Sequence, residues 1–322
     1  MLSAVSPSRS IPEAERKGRS TGQRSLSAQV AETLRRPAVR DLRLLDPLRV
    51  DMLRDVEAPR VDYNKLTDDR LSELLYFTEH GSGPPLLLVH GLMVTGEMFE
   101  PVIEHLATRQ RVIVPDLRGH GRSRGLPPPY TVAQLASDLS RLLDHLGIDS
   151  TAVLGYSQGG AIAQQLVLDH PQQCDRLVLA CTYAFNMATF RERLEGHLAP
   201  LLVHVLGMRR FAKFVVSQGL KQVGQERADW VVGLIADQDD KLMLSAWREA
   251  MAFDSRRRLA EIGCPTLVVA ASNDQGVPIH HAKMLHDGIP GSQLVIIDGA
   301  DHALIWTHSD ELLRVTDEFL GA

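Results

Sequence analysis

The stretch Ala152-Val153-Leu154-Gly155-Tyr156-Ser157-Gln158-Gly159-Gly160-Ala161-Ile162-Ala163 decides how the rest of the chain is read. Its apolar run at residues 152–154 reads as a strand, and Ala161-Ile162-Ala163 opens a helix expected to end near His170-Pro171. Between them, Gly155-x-Ser157-x-Gly159 fits a strand, a sharp turn and a helix with a serine at the apex. Such a turn lifts the hydroxyl clear of its neighbours and needs small residues on both sides. The helix N-terminus that follows favours negative charge nearby. Alone, the pattern also fits a glycine-rich turn with an idle serine, so the flanking sequence has to decide.

Upstream, residues 74–77 (Leu-Leu-Tyr-Phe) read as a strand, residues 80–85 as a turn, and residues 86–89 (Leu-Leu-Leu-Val) as a buried strand followed by His90-Gly91-Leu92. A glycine at a strand's end lets a backbone N–H face outward, as stabilisation of an oxyanion requires. His90 reads as a structural hydrogen-bonding residue. A helix over residues 98–108 and a strand over 111–114 come next, ending at Pro115-Asp116. The polar glycine loop of residues 116–123 lacks the lysine and the spacing of a phosphate cradle, and is expected to be structured without carrying chemistry. Thr131, with Gln134 three residues on, caps a helix whose apolar face is Val132, Leu135, Leu139, Leu142, Leu143 and Leu146 and which stops at Gly147.

Downstream, residues 176–181 contain another apolar strand. Residues 182–260 then show helical stretches without strand periodicity and hold Phe185, Phe190, Phe211, Phe214, Trp230, Trp247 and Phe253, mostly expected as core packing. Strands resume at 266–269 and 294–297, and a last helix is expected over 310–320. Alternating strands and helices, with strands written as unbroken apolar runs, predict an α/β fold: a mostly parallel central sheet with helices on both faces and a helical insertion. In such sheets active residues lie beyond the carboxyl ends of strands, where Ser157, Asp274 and His302 each fall.

The bulk composition narrows the function classes. At 322 residues and 44% hydrophobic content the chain can bury a sizeable core, and a net charge of −5 gives no reason to expect nucleic acid as partner. The three cysteines, Cys174, Cys181 and Cys264, lack metal spacing and read as small buried apolar residues of a reducing, cytoplasmic compartment. No apolar stretch is long enough to span a bilayer, and the N-terminus lacks the apolar core of a secretory signal. Residues 1–40, polar and rich in serine and arginine, are expected to bury little, and residues 42–56 read as an amphipathic helix interrupted at Pro47. No histidine pair or cysteine cluster has metal spacing, so no metal is expected.

Taken in order, His90-Gly91, the loop of residues 116–123, residues 155–159, Asn273-Asp274 with Val277-Pro278, and Asp301-His302 resemble the α/β-hydrolase family over about residues 72–320. The order Ser, Asp, His is the one that fold uses. The resemblance implies Ser157 as nucleophile, His302 as general base and then acid, Asp274 as the carboxylate that fixes the imidazole, and the backbone N–H groups of Leu92 and Gln158 as oxyanion donors. His280, His281, His286 and His308 are expected at the surface, and Asp298 and Asp301 as shaping the turn before His302. Two positions depart from the family pattern: Asp301 and Ala271 stand where glycines are frequent. Serine at the nucleophile turn argues against the dehalogenase and epoxide-hydrolase branches. The expected organisation is an N-terminal extension (1–70), a core (71–181 and 261–322) and a helical cap (182–260). The expected activity is a cofactor-independent hydrolysis of a small carboxylic ester with an apolar moiety. Lactone, thioester or carbon–carbon hydrolysis, acyl transfer, and non-catalytic binding of a small apolar ligand are the alternatives.

Overall fold

The computed structural model describes residues 74–321. The expectations for residues 1–70, including the helix over 42–56, lie outside the described residues. Seven strands form one sheet in the order β1-β3-β2-β4-β5-β6-β7: β1 (Phe77–His80), β2 (Pro85–Val89), β3 (Arg111–Pro115), β4 (Thr151–Tyr156), β5 (Cys174–Ala180), β6 (Thr266–Ala271) and β7 (Gln293–Ile297). Every neighbouring pair is parallel except β1 with β3, which is antiparallel.

The apolar runs bury both faces of the sheet because successive side chains alternate. Leu86, Leu88, Val112, Leu154 and Val178 join one core, with α1 (Glu100–Leu106) and α10 (Ser309–Leu320) packed on it through Val102, Leu312 and Phe319. Leu87, Val89, Ile113, Val153 and Leu177 join the other. There they meet α2 (Val132–His145), α3 (Gln158–Asp169) and α8 (His280–Gly288) through Leu139, Ile162 and Leu285. Each fully buried leucine here contributes about 1.5–3 kcal/mol. Thr131 caps α2 by accepting from the Gln134 N–H at 3.1 Å, as expected, but the Gln134 amide turns instead to Asp138 Oδ1 at 2.9 Å.

Between β5 and β6 lie α4 (Phe190–Leu206), α5 (Met208–Gly219), α6 (Gln225–Ala236) and α7 (Asp240–Ala252). Their contacts with the rest fall on segments that follow the carboxyl ends of strands. Arg227 pairs with Glu100 at 3.1 Å, Gln238 Oε1 accepts from the Gly121 N–H, and Trp230 meets Trp306 edge to face at 6.2 Å. α9 (Leu304–Thr307) carries Trp306, whose indole donates to Met98 O at 3.1 Å.

Four local expectations are corrected. β1 lies at Phe77–His80 rather than 74–77, because its partner β3 ends at Pro115 opposite Phe77, and upstream Tyr76 bonds the segment after β3 instead, through its O to the Asp116 N–H and its N–H to Ser123 Oγ. The helix expected over 98–108 divides into a 3-10 turn (Gly96–Phe99) and α1, with Pro101 in the first turn of α1, where its missing N–H costs nothing. Cys264 is only partly buried, whereas Cys174 and Cys181 are buried, and all three are free. Phe190, at 76% exposed, is not a core residue. No described helix is long and apolar enough to cross a membrane.

Candidate active site

Ser157 stands between β4 and α3 with φ 55° and ψ −124°. A non-glycine residue at positive φ is strained, and it persists here because both flanks are packed too tightly to relax. A Cβ at Gly159 would fall 2.0 Å from Val89 O on the neighbouring strand, so only glycine lets α3 begin there. Gly91 is likewise drawn in: a Cβ on it would lie 3.2 Å from the Ser157 Cβ.

Three of the sequence-predicted residues converge. His302 Nδ1 lies 2.7 Å from Asp274 Oδ2, and His302 Nε2 lies 3.1 Å from Ser157 Oγ. The carboxylate facing Nδ1 holds the proton there and leaves Nε2 to accept from the serine hydroxyl. Asp274 Oδ1 accepts from the Gly276 and Val277 N–H groups at 2.8 and 2.7 Å, which fixes the carboxylate. Asp274 is 4% exposed, whereas Ser157 and His302 are half-buried and reachable. Burial pulls the His302 pKa down, but the charge and hydrogen bond of Asp274, with the charge of Asp301 added, leave it raised above the ordinary histidine value. Among the described residues, neither the Leu92 N–H nor the Gln158 N–H has an acceptor.

The supporting residues were only partly foreseen. Tyr156, an unspecified position in the turn motif, donates its hydroxyl to His302 O at 3.0 Å, and its ring lies tilted at 60° to the imidazole with centroids 5.9 Å apart. Cys181 lies beneath it at φ 47°. His90 is structural as expected: Nδ1 donates to Gly91 O at 2.8 Å, and Nε2 accepts from the Leu117 N–H at 2.9 Å. His120 repeats the device, donating to Arg118 O and accepting from the Met93 N–H, and thereby ties the segment after β2 to the loop after β3. Both are buried and held neutral: burial lowers His90 to about 4, and burial together with the neighbouring His90 lowers His120 to about 3.

Asp301 explains one departure from the family pattern. Its Oδ2 accepts from the Lys221 and Gln222 N–H groups at 2.9 and 3.2 Å and its Oδ1 from Ala303 N–H at 2.8 Å, so it fastens the segment after α5 to the turn bearing His302. Glycine could not do this. The rival histidines lie elsewhere: His286 bonds Ser292, His308 bonds Thr307, and His280 and His281 face Glu192. Of these, His281 contradicts the surface expectation, since its side chain is 0% exposed; it sits on the inner side of α8 against Tyr183.

Residues 84–222 match the family described as alpha/beta hydrolase fold, and residues 240–321 the family described as TAP-like protein. A protein of Azorhizobium caulinodans, provisionally named carbamate hydrolase RutD, is 31% identical over 236 residues, spanning 71% of this chain and 88% of its own length. The chain belongs to the α/β-hydrolase family. Two solved structures extend the likeness to three dimensions. A hydrolase from Pseudomonas aeruginosa PA01 superposes with a TM-score of 0.70 at 27% identity, over 76% of this chain and 94% of that one. A malate-bound thermophilic esterase from Thermogutta terrifontis gives 0.69 at 27% identity, over 76% and 92%. The seven-stranded sheet with its single antiparallel edge, β1, is thus the α/β-hydrolase sheet.

Proposed function

We propose that this α/β-hydrolase is a serine hydrolase that cleaves a carboxylic ester through an acyl-enzyme. One observation carries the reading: the continuous relay from Asp274 through His302 to the strained Ser157, at 2.7 and 3.1 Å. In this scheme His302 Nε2 takes the hydroxyl proton as Ser157 Oγ attacks the carbonyl carbon. The oxyanion lies between the Leu92 and Gln158 N–H groups, each worth about 100–1,000-fold in rate in comparable sites. Collapse expels the alcohol, which takes the proton back from His302, and water then repeats the cycle on the acyl-serine with release of the acid.

Helices α4 to α7 act in this reading as the cap over a core formed by 71–181 and 261–322. Support comes from their contacts with Gly121, Asp301 and Trp306, which all follow strand ends on the side of Ser157. Leu92, Trp230 and Trp306 pack partly exposed against the shared core, which favours an apolar group on the substrate. The likeness to a relative named for carbamates makes a carbamate the second substrate class, since its carbonyl would pass through a similar oxyanion.

The test is hydrolysis of p-nitrophenyl esters of increasing acyl length, beside a p-nitrophenyl carbamate, for the wild type and Ser157→Ala. The expected outcome is ester turnover reduced by about a million-fold in the variant. Ester turnover that survives the substitution, or a wild type that neither turns over any of these substrates nor labels at Ser157 with a fluorophosphonate, would overturn the reading. Preferred turnover of the carbamate, lost in the variant, would move the substrate class and keep the mechanism.

A further inference from the structure

Away from Ser157, three side chains from two distant parts of the chain aim at one point. Glu192 lies in the first turn of α4, and His280 and His281 open α8. Glu192 Oε1 is 2.9 Å from His280 Nε2 and 3.1 Å from His281 Nε2, and the two rings lie 4.1 Å apart at 37°. All three ligand atoms fall within 4.8 Å of one another. We propose that Glu192, His280 and His281 form a binding site for a divalent transition-metal ion, best matched by Zn²⁺, which fastens helix α4 to the core.

The donor set comes first. Two imidazoles and one carboxylate suit zinc, which takes nitrogen and oxygen at about 2.0–2.2 Å. Donors placed tetrahedrally at that radius lie about 3.3 Å apart, close to the 2.9 and 3.1 Å that separate Glu192 Oε1 from the two Nε2 atoms. The carboxylate is prepared as well: Glu192 Oε2 is committed to the Thr189 N–H at 2.8 Å as half of a capping box, which leaves Oε1 to face the rings.

A second observation concerns the nitrogen of His280. Its Nε2 is buried 2.9 Å from a carboxylate oxygen, yet it is out of hydrogen-bond alignment and has no hydrogen-bond partner among the described residues. Only His281 forms a proper hydrogen bond to that oxygen. Two polar atoms held at contact distance without a proton between them repel, and a cation bound to both removes the repulsion. Zinc binds imidazole through a nitrogen lone pair, and both Nε2 atoms face the Glu192 carboxylate, where an ion would sit. His281 is fixed from behind by Tyr183, while His280, 39% exposed, gives the ion its way in.

The proposal stands apart from the hydrolytic reading, because its test reads binding. Tag-free full-length protein, stripped with chelator, is titrated with ZnCl₂ by calorimetry, and with CoCl₂ read by absorption for the intense visible bands of low-coordinate cobalt. We expect one ion per chain and, at Zn²⁺ about a hundred times Kd, a Tm rise of about 4–10 °C. His280→Gln and Glu192→Gln should weaken binding by at least about 100-fold, since loss of outer partners of metal ligands alone costs about 10–100-fold. The partly exposed His280 is replaced without opening the core, so its result stands even if His281→Gln fails to fold. Absence of one-to-one binding, or binding unchanged in both variants, overturns the proposal. So does binding lost in His302→Gln but kept in His280→Gln, which would place the ion at Cys181, Asp274 and His302, the other group of three donors within 4.8 Å.

Discussion

Ser157 holds a backbone conformation that almost any other surrounding would relax, and the atoms that prevent relaxation also aim its hydroxyl. Val89 O, pressed against Gly159, fixes the start of α3, and the His302 ring is fixed in turn by Asp274 and by the Tyr156 hydroxyl on its own carbonyl. Under the proposed mechanism the working form of His302 is the neutral one. Its pKa is raised, so kcat/KM should climb with pH along a limb centred above the ordinary histidine value of about 6.5. Asp274→Asn should keep the geometry, favour the wrong tautomer and lower kcat by about 10⁴-fold. A pH–rate series on both proteins checks this. A wild-type limb centred below 6.5, or a variant within tenfold of wild type, would remove His302 and Asp274 from the proposed roles.

At the scale of elements, the loop after β3 is held by a buried ion pair. Arg118 donates to Asp138 on α2 through Nε at 2.6 Å and Nη2 at 2.9 Å, and to Pro127 O through Nη1, with both side chains under 5% exposed. Neutralising Asp138 takes the carboxylate's charge away from a buried guanidinium, so Asp138→Asn should cost about 3–5 kcal/mol and lower Tm by roughly 6–20 °C. Glu261→Gln, which breaks the exposed pair with Arg258, should cost at most about 1 kcal/mol. Equal losses for the two variants in denaturant melts would sink the argument. Sequence showed this level unevenly. Apolar runs and caps placed β2 to β7, α2, α3 and α10, because period and capping are local properties. The start of β1 was illegible because β3 determines it, and so was the burial of His281, which depends on what packs against α8. The paired donors of Glu192 with His280 and His281 were hidden for the same reason: His280 follows Glu192 by 88 positions, and no spacing rule joins them. In the candidate site, Ser157, Asp274 and His302 could be read from motifs, whereas Tyr156 and the tethering by Asp301 act through backbone groups that no motif records.

For the molecule as a whole, the buried histidines set how stability responds to acid. His90 and His120 join the two segments that carry Leu92 and the loop after β3, and both do so only as neutral rings, since each uses one nitrogen to accept. Their folded pKa values, about 4 and about 3, lie below the unfolded value of about 6.5. Below pH 6.5 the unfolded chain takes up protons that the folded chain refuses, so their stabilising contribution falls as pH drops through that window. Each ring adds a slope of up to about 1.4 kcal/mol per pH unit. His302 acts in the opposite sense: its raised pKa gives a contribution that is complete below 6.5 and lost as pH rises through the folded value, so it adds no slope on the acid side. Urea unfolding between pH 6.5 and 5, where most carboxylates stay ionised, should therefore show stability falling steeply with acid. His120→Gln should begin less stable but lose stability along a shallower line, by about one proton's worth of slope. Parallel lines for the two proteins would mean that His120 takes up protons in the fold as it does in the unfolded chain, and the neutral brace between the two loops would have to be abandoned.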